Sequence, residues 1–476
     1  MNKTLIAAAI AATSLFTSHA IAAPQPHSDS AVSVFDSAIY GSLFSNDEIR
    51  AIFNDDALVS YWLEVEVALA QSQAELGLIP AAAAQSIAKV AKLETIDMAA
   101  LGTNTAKVGR GIKGLTDQLR KAGDANVKSY LHYGSTTQDI MDSATAMQID
   151  AALEVSKQRL TKLILTVAAM AEAHKDTVMV ARSNGQDAIP TTFGLHLSTY
   201  LSELDRHHQR LAEVQSRLTI QVGSTVGTLA PYGEQGVALQ HKMADKLGLA
   251  APLTPWNPSR DVFAETVQTV SLINATLGRL ALDVNTLSRT PINEIKEGES
   301  GASSTMPQKR NPRAAEFMGA FERMGSMYNA AATQIMSHND TRQGAPWIVE
   351  WSIIPESFMV ANEAMDRAQR LFDNLIVNPE AMRANFMASD NFVMSEAVMN
   401  AMVAKIGRGA AYDMVKKAIK AAPVGTTLDQ ILLTDANLKQ HISPEQAAQL
   451  MDPANYVGQS AAIVTNAVKV IRGRHQ

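Results

Sequence analysis

The sequence contains no cysteine, which excludes disulfides, thiolate zinc sites, iron–sulfur clusters and a cysteine nucleophile. Aromatics are only 5% and prolines only 17 of 476 residues, while alanine is abundant. That mix favours helices over a β-sandwich. Charge is scarce too: charged residues are 18% and the net charge is −6, so the chain has no bulk attraction for nucleic acid or an acidic membrane. Beyond the N-terminus no apolar run approaches the ~18 residues of a membrane span. What remains is 46% apolar residues in a chain long enough for more than one domain of about 100–200 residues.

The first residues read as an address. Lys3 supplies a positive start, Leu5 to Phe16 an apolar stretch, and Ala20-Ile21-Ala22 a small-residue cleavage site. The pattern predicts a signal peptide over 1–22, a mature start near Ala23 and export to the periplasm, with an uncleaved anchor as the alternative. Helical apolar spacing sets in at Asn46. Between Asp142 and Thr177 there is neither Pro nor Gly, and Ile149, Leu153, Leu160, Leu163, Val167 and Met170 fall on one stripe. Such a helix would be ~50 Å long. A similar run spans Asp261 to Arg289, and further helical runs follow Pro312 and Pro355. Helices this long want partners on several sides, which an elongated bundle completed by other subunits provides. The expected plan is an N-terminal helical domain over 23–140, a central bundle over 141–391 and a C-terminal helical domain over 392–476. A polar loop, 297–312, interrupts the bundle and is longer than ordinary bundle connections.

Gly109-Arg110-Gly111-Ile112-Lys113-Gly114 matches G-x-G-x-x-G but follows no plausible strand, so a flexible loop is the better reading than a dinucleotide site. The adjacent His207 and His208 point to different helix faces, and no metal site is expected. The informative segment is Ser303-Ser304-Thr305-Met306-Pro307-Gln308-Lys309-Arg310-Asn311-Pro312. It resembles the signature S-S-x-M-P-x-K-x-N-P of the fumarase/aspartase superfamily, a coincidence expected on the order of once in a billion starts. The Gly that usually precedes the two serines is Ala302 here. His132-Tyr133-Gly134-Ser135-Thr136-Thr137-Gln138-Asp139 resembles the family's first region, and Arg182-Ser183-Asn184-Gly185-Gln186-Asp187-Ala188-Ile189-Pro190 its second. Gln138-Asp139, Trp256 with Arg260-Asp261, and the stretch from Asp340 to Trp351 look most like the carboxymuconate cycloisomerase branch.

The resemblance implies an all-α, three-domain fold whose central bundle builds a homotetramer, with each site assembled from three chains. It implies lyase or cycloisomerase chemistry on a small polycarboxylate, with no metal or organic cofactor. A C–N lyase releasing fumarate from a succinyl-amine, and a non-catalytic descendant, are the alternatives. Removing a proton beside a carboxylate needs a base at that carbon and donors that hold the doubly charged intermediate. The resemblance assigns the base to Ser303 and the activated carboxylate to Lys309 and Asn311. A second carboxylate falls to Thr136, Thr137 and Gln138, with Arg342 as a further cation and Ser304, Met306 and Gln186 beside the substrate. Where most members carry a histidine as acid for the leaving group, this chain has Asn184, which does not titrate. Glu316 matches that histidine's usual acidic partner. His132 is a candidate substitute acid, and a histidine that merely structures its turn is the alternative.

Overall fold

The computed structural model describes residues 31–299, 301–302 and 305–475. The expected leader over 1–22, Ser303 and Ser304 lie outside the described residues. Of the described residues, 31–44 form a unit of their own, ending in one helical turn, Gly41–Phe44. Residues from Ser45 onward form a second compact unit.

The second unit is built of helices. Those that position the site are α1 (Asp55–Glu75), α2 (Met98–Val108), α3 (Gly111–Ala122), α4 (Thr137–Ala173), α5 (Phe193–Gln215), α6 (Asp261–Leu287), α7 (Arg313–Gln334) and α8 (Gly344–Asp373). Helix α4 runs 37 residues without a breaker. At 1.5 Å per residue it is ~55 Å long. Its start is fixed by Asp139, whose carboxylate accepts the Thr136 N–H at 3.1 Å. The expected stripe (Leu153, Leu160, Leu163, Val167) is fully buried, but Ser143 and Gln148, on other faces, are buried too. The helix is enclosed on several sides, as a central bundle member must be.

Helices α4, α6 and α8 run parallel. Arg260, just ahead of α6, and Trp347, in the first turn of α8, both bond to Asp142 near the start of α4. Further along, Asn362 of α8 donates to Ser156 of α4 at 2.9 Å. Helices α5 and α7 return in the opposite sense: Tyr200 near the start of α5 bonds Asp283 near the end of α6, and Gln215 at the end of α5 bonds Asp150 near the start of α4. The bundle therefore has a near end, where α4, α6 and α8 begin, and a far end, where they finish.

Strands occur at the far end, in three antiparallel pairs. They are β1 (Val178–Ser183) with β2 (Gln186–Thr192), β3 (Ile295–Glu297) with β6 (Leu375–Val377), and β4 (Gly301–Ala302) with β5 (Arg310–Asn311). Two readings of the sequence are corrected here. Helix α8 starts at Gly344 and continues through Pro355, forfeiting one backbone hydrogen bond rather than breaking. The G-x-G-x-x-G-like run is not a flexible loop: Gly109 closes α2 in the left-handed conformation at φ 79°, and Gly111 and Gly114 are already inside α3. Among the described residues no helix is long and apolar enough to cross a membrane.

Candidate active site

The near end carries the first motif. Thr136 caps α4, and Arg342 Nη1 donates to its Oγ1 at 3.2 Å. Thr136 and Thr137 are half-buried. Gln138 is turned inward: it is 2% exposed, and its Nε2 donates to Asp142 Oδ2 at 3.0 Å and to the Asn257 carbonyl at 3.2 Å. Below the cap, the buried Asp139 carboxylate also accepts from Gly223 N at 3.2 Å and Ser224 N at 2.9 Å. Burial pushes that carboxyl up to about 7, although the three backbone donors pull the other way.

His132 sits on the same surface with a left-handed φ of 63°. Its Nδ1 lies 2.6 Å from Oε1 of Glu66, a residue of α1 that is fully buried. Burial alone would lower the His132 pKa; the charge and hydrogen bond of Glu66, with Asp139 behind, outweigh it and hold the imidazole above its ordinary value. Nε2 has no partner among the described residues. The ring therefore structures its turn through one nitrogen. A histidine whose folded pKa is raised adds stability in full below about 6.5 and loses it as pH rises through the folded value. Glu66→Gln is expected to move the His132 midpoint down, read by NMR titration. An unmoved midpoint would show that Glu66 does not set it.

Beneath these groups lies a buried ionic cluster. Arg260, 1% exposed, forks onto Glu350 at 2.7 and 2.6 Å and onto Asp142 at 2.7 and 3.0 Å. Trp347 Nε1 donates to Asp142 at 2.9 Å, and the Trp256 and Phe263 rings lie 4.9 Å from the guanidinium. This cluster ties the starts of α4, α6 and α8 together and so fixes where Thr136 and Arg342 stand.

The far end carries the other two motifs. Asn184 and Gly185 are the two turn residues of the β1–β2 hairpin, with φ 53° and 74°. Asn-Gly is the pair that a tight hairpin turn with two left-handed residues prefers, so the residue in the usual histidine's place suits its backbone. Asn184 and Gln186 are exposed at the tip. The signature loop turns between β4 and β5: Asn311 pairs with Gly301, the Lys309 N–H donates to the Met306 carbonyl at 3.0 Å, and Met306, Lys309 and Arg310 are exposed. Lys309 has no acidic partner among the described residues. The helix that follows does not offer its N-terminus to this loop. Glu297 accepts from the N–H groups of Ala314 and Ala315, both at 2.9 Å. Glu316 is exposed and pairs with Arg313 at 3.3 Å. Arg182 of the hairpin grips Glu294, just ahead of the loop, at 2.9 and 2.6 Å, so the second and third motifs share one end. The ~55 Å of α4 separates them from Thr136 and Arg342.

This layout can be compared with known proteins. The family described as Lyase matches residues 44–323, and the one described as Adenylosuccinate lyase C-terminus matches 391–467. The chain belongs to the fumarase/aspartase superfamily of lyases. It is 34% identical to the 3-carboxy-cis,cis-muconate cycloisomerase of Bradyrhizobium diazoefficiens, over 90% of this chain and 97% of that one. It is 35% identical to trans-aconitate decarboxylase 1 of Mycosarcoma maydis, over 88% and 86%. The crystal structure of 3-carboxy-cis,cis-muconate lactonizing enzyme from Pseudomonas putida superposes with a TM-score of 0.85 at 30% identity, covering 91% and 99%.

Sequence reasoning missed Glu66 of this lyase, and it did not bring Arg260, Asp142 and Glu350 together as one cluster. Glu66 carries no sequence signal: it is an acid on an otherwise apolar helix face, and only the fold brings His132 to it. The hairpin did carry a signal, Asn-Gly between Val178–Val180 and Ile189–Thr192. Among the described residues no group of three His, Asp or Glu side chains is placed to hold a metal.

Proposed function

We propose that this lyase is a cycloisomerase of a small tricarboxylate, most like 3-carboxy-cis,cis-muconate cycloisomerase. Ser303 takes the proton from the carbon beside one carboxylate, and Lys309 and Asn311 hold the doubly charged carboxylate that forms. The electron pair then returns to make a double bond as the ring C–O bond breaks and a carboxylate leaves; lactone formation is the same path reversed. Thr136, Thr137 and Arg342 hold a second carboxylate, while Gln138 anchors that cap from beneath.

The observation that carries the reading is Asn184. Its amide cannot donate a proton to a leaving group, and a leaving carboxylate needs little such help. Similarity to the cycloisomerase supports this. His132, with its free Nε2 and raised pKa, is what favours the second reading, a lyase expelling a more basic group. Incubation with 3-carboxy-cis,cis-muconate and with a panel of succinyl-amines decides between them. Lactone formation supports the first reading; fumarate release without lactone supports the second. Because the motifs sit at opposite ends of the bundle, we also propose that sites form between chains of a homotetramer. Export remains a proposal resting on residues 1–22, tested by recovering protein from the periplasm with its N-terminus near Ala23.

A further inference from the structure

Arg110 has been given no role so far. It precedes α3 in the run that imitates a dinucleotide motif, and the structure puts it at the near end. Its guanidinium carbon lies 4.9 Å from the centroid of the Trp347 ring and 5.0 Å from that of Trp351, both on α8. A Cβ built on Gly344 would come within 3.1 Å of its Nη2, so the guanidinium rests on the first residue of α8, two positions from Arg342. Arg110 thus stands at the start of α8, a point close in the chain to Arg342, which bonds the Thr136 cap.

Neither has a carboxylate partner among the described residues. Arg342 bonds Thr136 Oγ1 alone, and Arg110 spends one donor on its own Gly109 carbonyl at 2.6 Å. A guanidinium has five N–H donors, so most of Arg110's are uncommitted. The acid that could have neutralised it from α8, Glu350, is turned inward with both oxygens on Arg260. The setting is also electrostatically adverse, because a helix start carries positive potential and α8 has no side-chain cap. Contact with two indoles that meet edge to face, 5.5 Å apart, holds the guanidinium without neutralising it. Burial depresses its pKa, and no neighbouring acid restores it. A rigidly held, unpaired cation calls for an anion.

We infer that Arg110 binds a third carboxylate of the substrate, beyond those taken by Thr136, Thr137 and Arg342 and by Lys309 and Asn311, and selects tricarboxylates over dicarboxylates. This rests on the polycarboxylate reading above and names the residue that sets its specificity.

The test is calorimetric titration of the full chain with unreactive tricarballylate and with succinate, for wild type, Arg110→Gln and Arg110→Lys. Arg110→Gln is expected to weaken tricarballylate about ten- to a hundredfold more than succinate, the value of a charged hydrogen-bonded pair. Arg110→Lys should fall between, keeping the charge and losing the fork. With 3-carboxy-cis,cis-muconate as substrate, KM should rise more than kcat falls. Equal weakening of both ligands, no weakening of either, or a wild type that binds neither overturns the inference. Arginine-dependent selectivity in a protein that does not turn over carboxymuconate sustains the inference and overturns the cycloisomerase reading. Turnover with a KM indifferent to Arg110→Gln does the reverse.

Discussion

Arg260→Met is expected to cost about 3–5 kcal/mol of unfolding free energy, because it strands two buried carboxylates whose only cationic partner among the described residues has gone. Asp142 and Glu350 are 1% and 2% exposed, so water cannot replace the guanidinium. Burial already pushes Glu350 upward, with Arg260 opposing and Asp142 adding to the push. Without Arg260 the Glu350 carboxyl loses the partner that opposes this rise and moves further above its unfolded value. A carboxyl with a raised native pKa destabilises at higher pH, and the penalty shrinks as pH falls through that pKa. The deficit should therefore be larger at pH 8 than at pH 5.5 in denaturant titrations. Arg260→Lys should recover only part of it, since an ammonium cannot fork onto both acids. A loss below about 1 kcal/mol at both pH values would mean that the cluster relaxes or hydrates, contrary to its geometry.

That cluster also shows what sequence can and cannot reveal in this lyase. Long apolar stripes made α4 and α6 legible, because a 3.6-residue period sustained over many turns admits no other structure. The signature loop was legible as a motif, and its place between two long helices held. Strands of two or three residues, such as β4 and β5, were not, since alternation cannot be detected over so short a span. Arg260 and Glu350 stand in stretches that resemble the cycloisomerase branch, but nothing in the sequence joins them to each other or to Asp142. They lie far apart in the chain, and only the parallel packing of three helix starts makes them one buried group. Arg110 misled for a related reason. Its glycine neighbours imitate a phosphate loop, whereas Gly109 ends one helix and Gly111 begins the next. The physics of the acid position was legible only in half: Asn184 was seen as a lost proton donor, but not as the residue its left-handed φ favours.

Ser303→Ala should abolish most activity, with kcat falling by about 10²–10⁴ for loss of the base, while Asn184→Ala costs less than about tenfold because no proton passes through it. Equal losses would make Asn184 part of the chemistry. The stronger test uses the distance between motifs. Thr137 stands at the start of α4, whereas the hairpin after its end holds the chain that leads, through Arg182 and Glu294, to the signature loop. One rigid helix of ~55 Å keeps Thr137 and Lys309 of the same chain from one small substrate. A second chain packed in the opposite sense would bring its Thr137 to the first chain's Lys309. If so, a Ser303→Ala chain and a Thr137→Ala chain, each nearly inactive alone, should regain activity when refolded together. Random pairing leaves about one quarter of the sites with both motifs intact. Activity near that fraction in the mixture, and none in either parent, is the expected result. A mixture as inactive as its parents would place both motifs of each site in a single chain.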